Sequence, residues 1–157
     1  MLLTILRVVA VVSVGLLAGI FLGYRMGVQY AGPELSASSF VQLQQIIHAH
    51  YVRFMPALVL PALLSSLLWL VMVRSQWRTA EFGLVAIAAC GILVIAAATR
   101  LVSVPLNDQL MTWSIASPPT NLRNVWAPWD RVNTLRSVLA TGSLVLEAVA
   151  LGLRAAK

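Results

Sequence analysis

The sequence predicts an all-α fold: an integral membrane four-helix bundle with an extended polar end and a long loop between helices three and four. Three observations predict it. Hydrophobic residues make up 60% of the 157 positions and charged residues only 10%, against about 45–50% and about 25% in average soluble domains. The apolar residues collect in four runs, Val8–Tyr24, Phe54–Val73, Phe82–Thr99 and Ser137–Leu153. Each run approaches the ~20 residues that a helix needs to cross a ~30 Å hydrocarbon core. Polar and aromatic residues gather between alternate runs, which places them at one end of the bundle. Backbone groups left unpaired in lipid are costly, so runs of this kind must be helical.

The same composition excludes several classes. A water-soluble globule this poor in charge could not cover its surface, so a soluble enzyme, a disordered chain and a nucleic-acid-binding domain are ruled out. The formal net charge is +6, but the arginines are scattered and form no basic tract. A single cysteine, Cys90, excludes a disulfide framework, a cysteine-based zinc site and a thiol-pair relay within the chain. Inside an apolar run, Cys90 reads as a small packing residue.

One transmembrane domain spans residues 1–157, with helices expected at 4–29, 39–74, 80–104 and 128–154. Helix one has almost no basic segment before it and no clear small-residue cleavage site, so it reads as a retained span rather than a signal peptide. It carries Gly15, Gly19, Gly23 and Gly27 at four-residue spacing. Small residues so spaced let helices approach closely in lipid. The expected use is packing inside the bundle, against a strip of Gly83, Ala86, Cys90 and Ala97 on helix three; the alternative is a homo-oligomer. Helix two starts at N-capping serines, Ser36, Ser38 or Ser39, after Pro33. From Ser39 to Val73 it would reach about 50 Å at 1.5 Å per residue, so its first turns should stand beyond the hydrocarbon core, and Pro56 and Pro61 should bend it. The short connection from Arg74 to Glu81 makes helices two and three antiparallel neighbours. The connection from Pro105 to Pro128 is long and contains Pro118 and Pro119; such loops are usually functional or mobile.

Arg25, Arg53, Arg100, Arg131 and Arg136 fall at one membrane end, with Glu34, Asp108 and Asp130 as potential partners. Arg7, Arg74, Arg78, Arg154 and Lys157 fall at the other. The positive-inside rule counts the two ends nearly equally; the expectation is a multi-pass protein of the cytoplasmic membrane with both termini cytoplasmic.

Candidate chemistry sits at the polar end. On helix four, Trp129, Asn133, Arg136, Ala140, Ser143 and Glu147 follow spacings of 4, 3, 4, 3 and 4, which puts them on one face. Ionisable groups in a membrane helix usually face the bundle interior or a wet cavity. The stripe therefore points inward, with Arg136 either holding an anion or polarised oxygen, or forming part of an internal hydrogen-bond ladder. Glu147 would join that ladder or reach the far interface near Arg154. His48 and His50 lie two apart on a helix, roughly 200° around it, so the pair cannot aim at one metal and no metal site is expected. A neutral imidazole facing a cavity suits proton abstraction near pH 7. The face through Gln44, His48 and Tyr51 is the more polar, which makes His48 the expected base and His50 the alternate.

Three segments, in order, carry a resemblance: Tyr51-Val-Arg53-Phe-Met55-Pro56 opening helix two, Val104-Pro105-Leu106-Asn107 closing helix three, and Trp129-Asp-Arg-Val-Asn133-Thr-Leu-Arg136-Ser137 opening helix four. Together they resemble the anthrone oxygenase-like family of small four-helix membrane proteins. The resemblance implies oxidation of an anthrone-type or quinone-like lipophilic molecule with dioxygen and no cofactor. His48 would then be the base and Arg136 or Arg53 the cation. Tyr51, Trp113, Trp126 and Trp129 would line the ring-binding walls, unless the tryptophans form an interfacial belt. Asn107 and Asn133 would bond a carbonyl or phenol, and His50 would contact substrate. Two alternatives stand beside this reading: a non-enzymatic protein binding a quinone, a membrane lipid or a partner membrane protein at its polar end, and a haem or copper bundle using one histidine.

Overall fold

The computed structural model describes residues 1–155, and side chains through residue 153. Lys157 and the side chain of Arg154, assigned above to the second membrane end, lie outside the described residues. Five α-helices form the bundle: α1 Leu2–Tyr24, α2 Ala37–Met72, α3 Ala80–Ala98, α4 Val104–Met111 and α5 Leu122–Ala155. A π-helical turn, Arg25–Gln29, extends α1, and a second, Thr99–Ser103, joins α3 to α4. Four continuous helical stretches, Leu2–Glu34, Ala37–Met72, Ala80–Met111 and Leu122–Leu153, are long and apolar enough to cross a membrane.

Local chemistry sets the helix starts. Ser36 caps α2 by accepting the Ser39 N–H at 3.1 Å, and Thr79 caps α3 by accepting that of Phe82 at 3.4 Å; each occupies a donor the first helical turn leaves orphaned. Between the last two spans, helix enters the expected loop from both sides. α4 continues from the π-turn at Val104, and its second residue, Pro105, offers no N–H to the turn before it. α5 starts at Leu122 and runs through Pro128, leaving residues 112–121 as the non-helical connection.

The four long helices form a ring in which α1 neighbours α2 and α5, and α3 neighbours α5 and α2, with the α2–α3 edge the most loosely packed. The core is stacked in three layers. Ala10, Trp69, Val73, Val85 and Ala150 fill the layer nearest the N-terminus. Val14, Leu17, Phe21, Ala62, Ile92, Ile95 and Ala140 fill the middle. Tyr24, Phe40, Val41, Leu110, Leu122, Trp126 and Trp129 fill the polar end. In the first layer Arg7 pairs with Glu81 at 2.5 Å, and the Trp69 indole N–H donates to the same carboxylate oxygen at 3.0 Å. This contact staples α1 to α3 across the ring.

Two packing expectations are corrected. A Cβ on Gly15 would sit 3.4 Å from Leu144, but Gly19, Gly23 and Gly27 face open space, with nothing within 4 Å. Most of the glycine strip therefore turns away from the bundle, because each four-residue step overshoots a full turn by about 40° and carries the strip off the buried face of Val14, Leu17, Phe21 and Tyr24. On α3, Cys90 is exposed and Gly83 meets nothing. The close approach is made instead at Gly91, whose missing Cβ would lie 2.8 Å from Ser143 Oγ; Ser143 donates to the Ala88 carbonyl at 3.1 Å.

Candidate functional site

The inward stripe of the last span is observed on α5: Trp129, Asn133, Arg136, Ala140, Ser143 and Glu147 are all buried. Its lower part is structural. Ser66 donates to Glu147 Oε1 at 2.6 Å, and this carboxylate is fully buried rather than at an interface. Its upper part, from Trp129 to Arg136, forms one wall of a cavity of about 380 Å³ between α1, α2, α4 and α5. That volume lies within the ~300–1,000 Å³ of small-molecule sites.

The cavity has a polar side and an apolar side. Tyr24, Gln44, His48, Tyr51, Thr99, Asn107, Trp129, Asn133 and Arg136 supply the first, and Ile20, Phe21, Met55, Pro56, Val59 and Leu60 are among the residues of the second. Helix geometry explains the convergence. Gln44, His48, Tyr51 and Met55 follow i, i+4, i+7, i+11 on α2. The two π-turns begin right after Tyr24 and at Thr99, so both rotate the chain beside the same chamber; π-turns are rare and frequent at functional sites.

Arg136 is 5% exposed. Its guanidinium carbon lies 4.9 Å from the Phe21 ring centre and 5.1 Å from that of Trp129. It donates to Thr99 Oγ1 and to Asn133 Oδ1, both at 3.3 Å, while its buried Nε has no partner. Among the described residues no carboxylate lies within ion-pair distance of it, nor do Glu34, Asp108 or Asp130 pair with any other arginine of the polar end. A buried cation held by aromatic faces and neutral oxygens has donor capacity to spare.

Neighbours orient the rest. Asn133 donates to Gln29 Oε1 at 2.9 Å, and Gln29 donates to the Asp130 carbonyl at 3.1 Å. The Asn133 amide is therefore fixed with its oxygen toward Arg136. The Trp129 indole donates to Asn107 Oδ1 at 2.9 Å, and the Tyr24 hydroxyl donates to Gln44 Oε1 at 2.6 Å. Above the chamber Trp126 stacks on Trp129 at 4.9 Å and 15°, with Trp113 and Phe40 edge-on to Trp126.

Of the residues singled out by sequence, His48, Tyr51, Asn107, Trp129, Asn133 and Arg136 line this one cavity. His50 and Arg53 are exposed and outside its lining, since they fall on the outer face of α2. Trp113 and Trp126 sit behind Trp129 and close the polar end rather than line the chamber. Sequence reasoning missed Tyr24 and Thr99 as lining residues. Each ends an apolar run at the depth where the polar end begins, which was the available signal. Among the described residues no three His, Cys, Asp or Glu side chains converge as a metal site would require.

The sequence model of the family described as Anthrone oxygenase matches residues 44–146. That stretch holds every lining residue named above except Ile20, Phe21 and Tyr24 of α1. No curated protein and no solved structure matches the chain.

Proposed function

Because this chain belongs to the anthrone oxygenase family, we propose that its cavity binds a flat, lipophilic anthrone-type molecule and oxidises its ring methylene to a carbonyl with dioxygen. The observation that carries the proposal is Arg136: a buried guanidinium with no carboxylate partner, held between Phe21 and Trp129 at the wall of a mostly apolar chamber.

The chemistry matches what this chain's side chains can supply. The methylene lies between two aryl rings and is conjugated through them to the ring carbonyl, so loss of one proton gives a delocalised enolate. His48 lines the chamber and takes that proton as general base. Negative charge gathers on the carbonyl oxygen, and Arg136 stabilises it with a fixed charge in a site poor in water. Asn107 and Asn133, each held by a neighbour, offer amides to ring oxygens. The electron-rich carbanion carbon bonds to dioxygen, and uptake of a proton gives a hydroperoxide. Removal of the remaining hydrogen on that carbon breaks the O–O bond, forms the carbonyl and releases water. One oxygen atom enters the product and the other leaves as water, so a four-electron oxidation of carbon balances the four-electron reduction of dioxygen. The same reading keeps both termini cytoplasmic.

The test is oxygen consumption by the purified protein in nanodiscs supplied with anthrone, with anthraquinone measured by mass spectrometry. Turnover that vanishes in Arg136→Met supports the proposal. Tight anthrone binding with no oxygen uptake assigns the chamber to binding alone, and neither binding nor uptake removes this substrate class.

A further inference from the structure

The cavity is shut at both ends of the bundle. At the polar end Trp126 stacks over Trp129, and the Gln45 amide donates to the carbonyls of Leu110 at 2.9 Å and Trp113 at 3.0 Å, tying α2 to the end of α4. On the opposite side the fully buried Ala62, Ile92, Ile95 and Ala140 fill the ring. Between these closures three residues both line the cavity and lie exposed on the outside: Val52 at 56%, Leu60 at 53%, and Pro56. A side chain can do both only at an opening.

The opening has a definite place. Val52 follows Gln45 by seven residues, nearly two full turns, and Pro56 follows by four more, so both share the α2 edge that faces α4. The α2–α3 edge is also the loosest of the ring. Pro56 and Pro61 offer no N–H to the carbonyls of Val52 and Ala57, which weakens α2 at this level and favours an outward bend. Pro56 and Leu60 lie within the apolar run Phe54–Val73 of a helix long and apolar enough to cross a membrane, so a bilayer would present acyl chains to them. Its rim is apolar, and Arg136 on the far wall is the one charged arginine or carboxylate side chain of the lining.

We propose that the cavity is a side door to the bilayer: an uncharged ring molecule dissolved among the acyl chains enters between α2 and the α3–α4 edge, past Val52, Pro56 and Leu60. The identity of the entrant rests on the reading given above; the door itself rests on geometry alone.

A diazirine analogue of methionine tests the two separately. Incorporated in place of methionine, it puts a photoreactive group at Met55 on the chamber wall and at Met26, which is 65% exposed on α1 and serves as the control. The protein is irradiated in phosphatidylcholine vesicles and its peptides are mapped by mass spectrometry. Acyl-chain adducts at Met55 are expected, falling at least fivefold in Leu60→Trp while those at Met26 stay constant. Adducts at Met26 with only water or intraprotein products at Met55 overturn the door. Added anthraquinone should suppress acyl adducts at Met55 and spare those at Met26. Adducts at Met55 that anthraquinone does not suppress keep the door and remove the ring molecule as its user.

Discussion

The guanidinium of Arg136 lies 5.1 Å from the ring centre of Trp129, seven residues earlier on the same helix. Two turns of α5 bring the pair into register, and Trp129 is itself held by its bond to Asn107 and its stack on Trp126. The charge is thus fixed by a chain of ordered rings and amides, not by an acid.

That arrangement predicts the outcome of removing the charge. Arg136→Met strands no carboxylate, so it avoids the ~3–5 kcal/mol lost when one partner of a buried ion pair is deleted. The loss should stay near the ~2 kcal/mol of a desolvated cation–π contact, while anthrone turnover falls below detection. Arg136→Lys should rescue poorly, since a point charge lacks the planar fork that Thr99 and Asn133 now share. Thermal melting and oxygen uptake, measured together, check both parts. A collapse of stability would assign Arg136 to the scaffold.

Trp129→Phe keeps a ring over Arg136 and against Trp126 but deletes the donor to Asn107. Its effect should be non-additive with Asn107→Leu. The two share one hydrogen bond, so a double-mutant cycle in detergent should show a coupling of ~0.5–3 kcal/mol. Strict additivity would mean that the bond does not form in solution.

Gly91→Ala should destabilise by about 1–3 kcal/mol, because the new methyl lands 2.8 Å from Ser143 Oγ. Gly19→Ala should be close to neutral, since its Cβ meets nothing within 4 Å. Melting temperatures of the two variants decide it, and the reverse order would show that α1 packs through its glycine face.

Gln45→Leu should loosen the polar end without touching the chamber wall. It leaves the Leu110 and Trp113 carbonyls without the amide that joins them to α2. Hydrogen exchange in α4 and the following connection should speed up at least tenfold, with α3 unchanged.

With four spans, Leu2→Cys and Ser75→Cys should label from the same membrane side and Ser117→Cys from the other, in a Cys90→Ala background. Leu2 and Ser117 labelling from one side would contradict the count of crossings.

Sequence by itself determined the number of spans, the polar end and the inward face of α5. These follow from composition and from periodicity along a single helix, and Trp129, Asn133, Arg136, Ser143 and Glu147 are indeed buried. It also set His48, Tyr51 and Asn107 at the level of Arg136, since depth in a membrane helix is a count of residues. Only the tertiary structure decided which side of the other helices meets a neighbour. The rotation of α1 turned Gly19, Gly23 and Gly27 outward, and that of α2 left His50 and Arg53 outside the chamber. In lipid an apolar residue is equally at home facing acyl chains or a neighbouring helix, so hydrophobicity cannot fix that rotation. The π-turns that bring Tyr24 and Thr99 to the chamber were hidden for a related reason. They arise where a helix takes an extra residue into one turn and underwinds to fit its neighbours, and no residue type announces them.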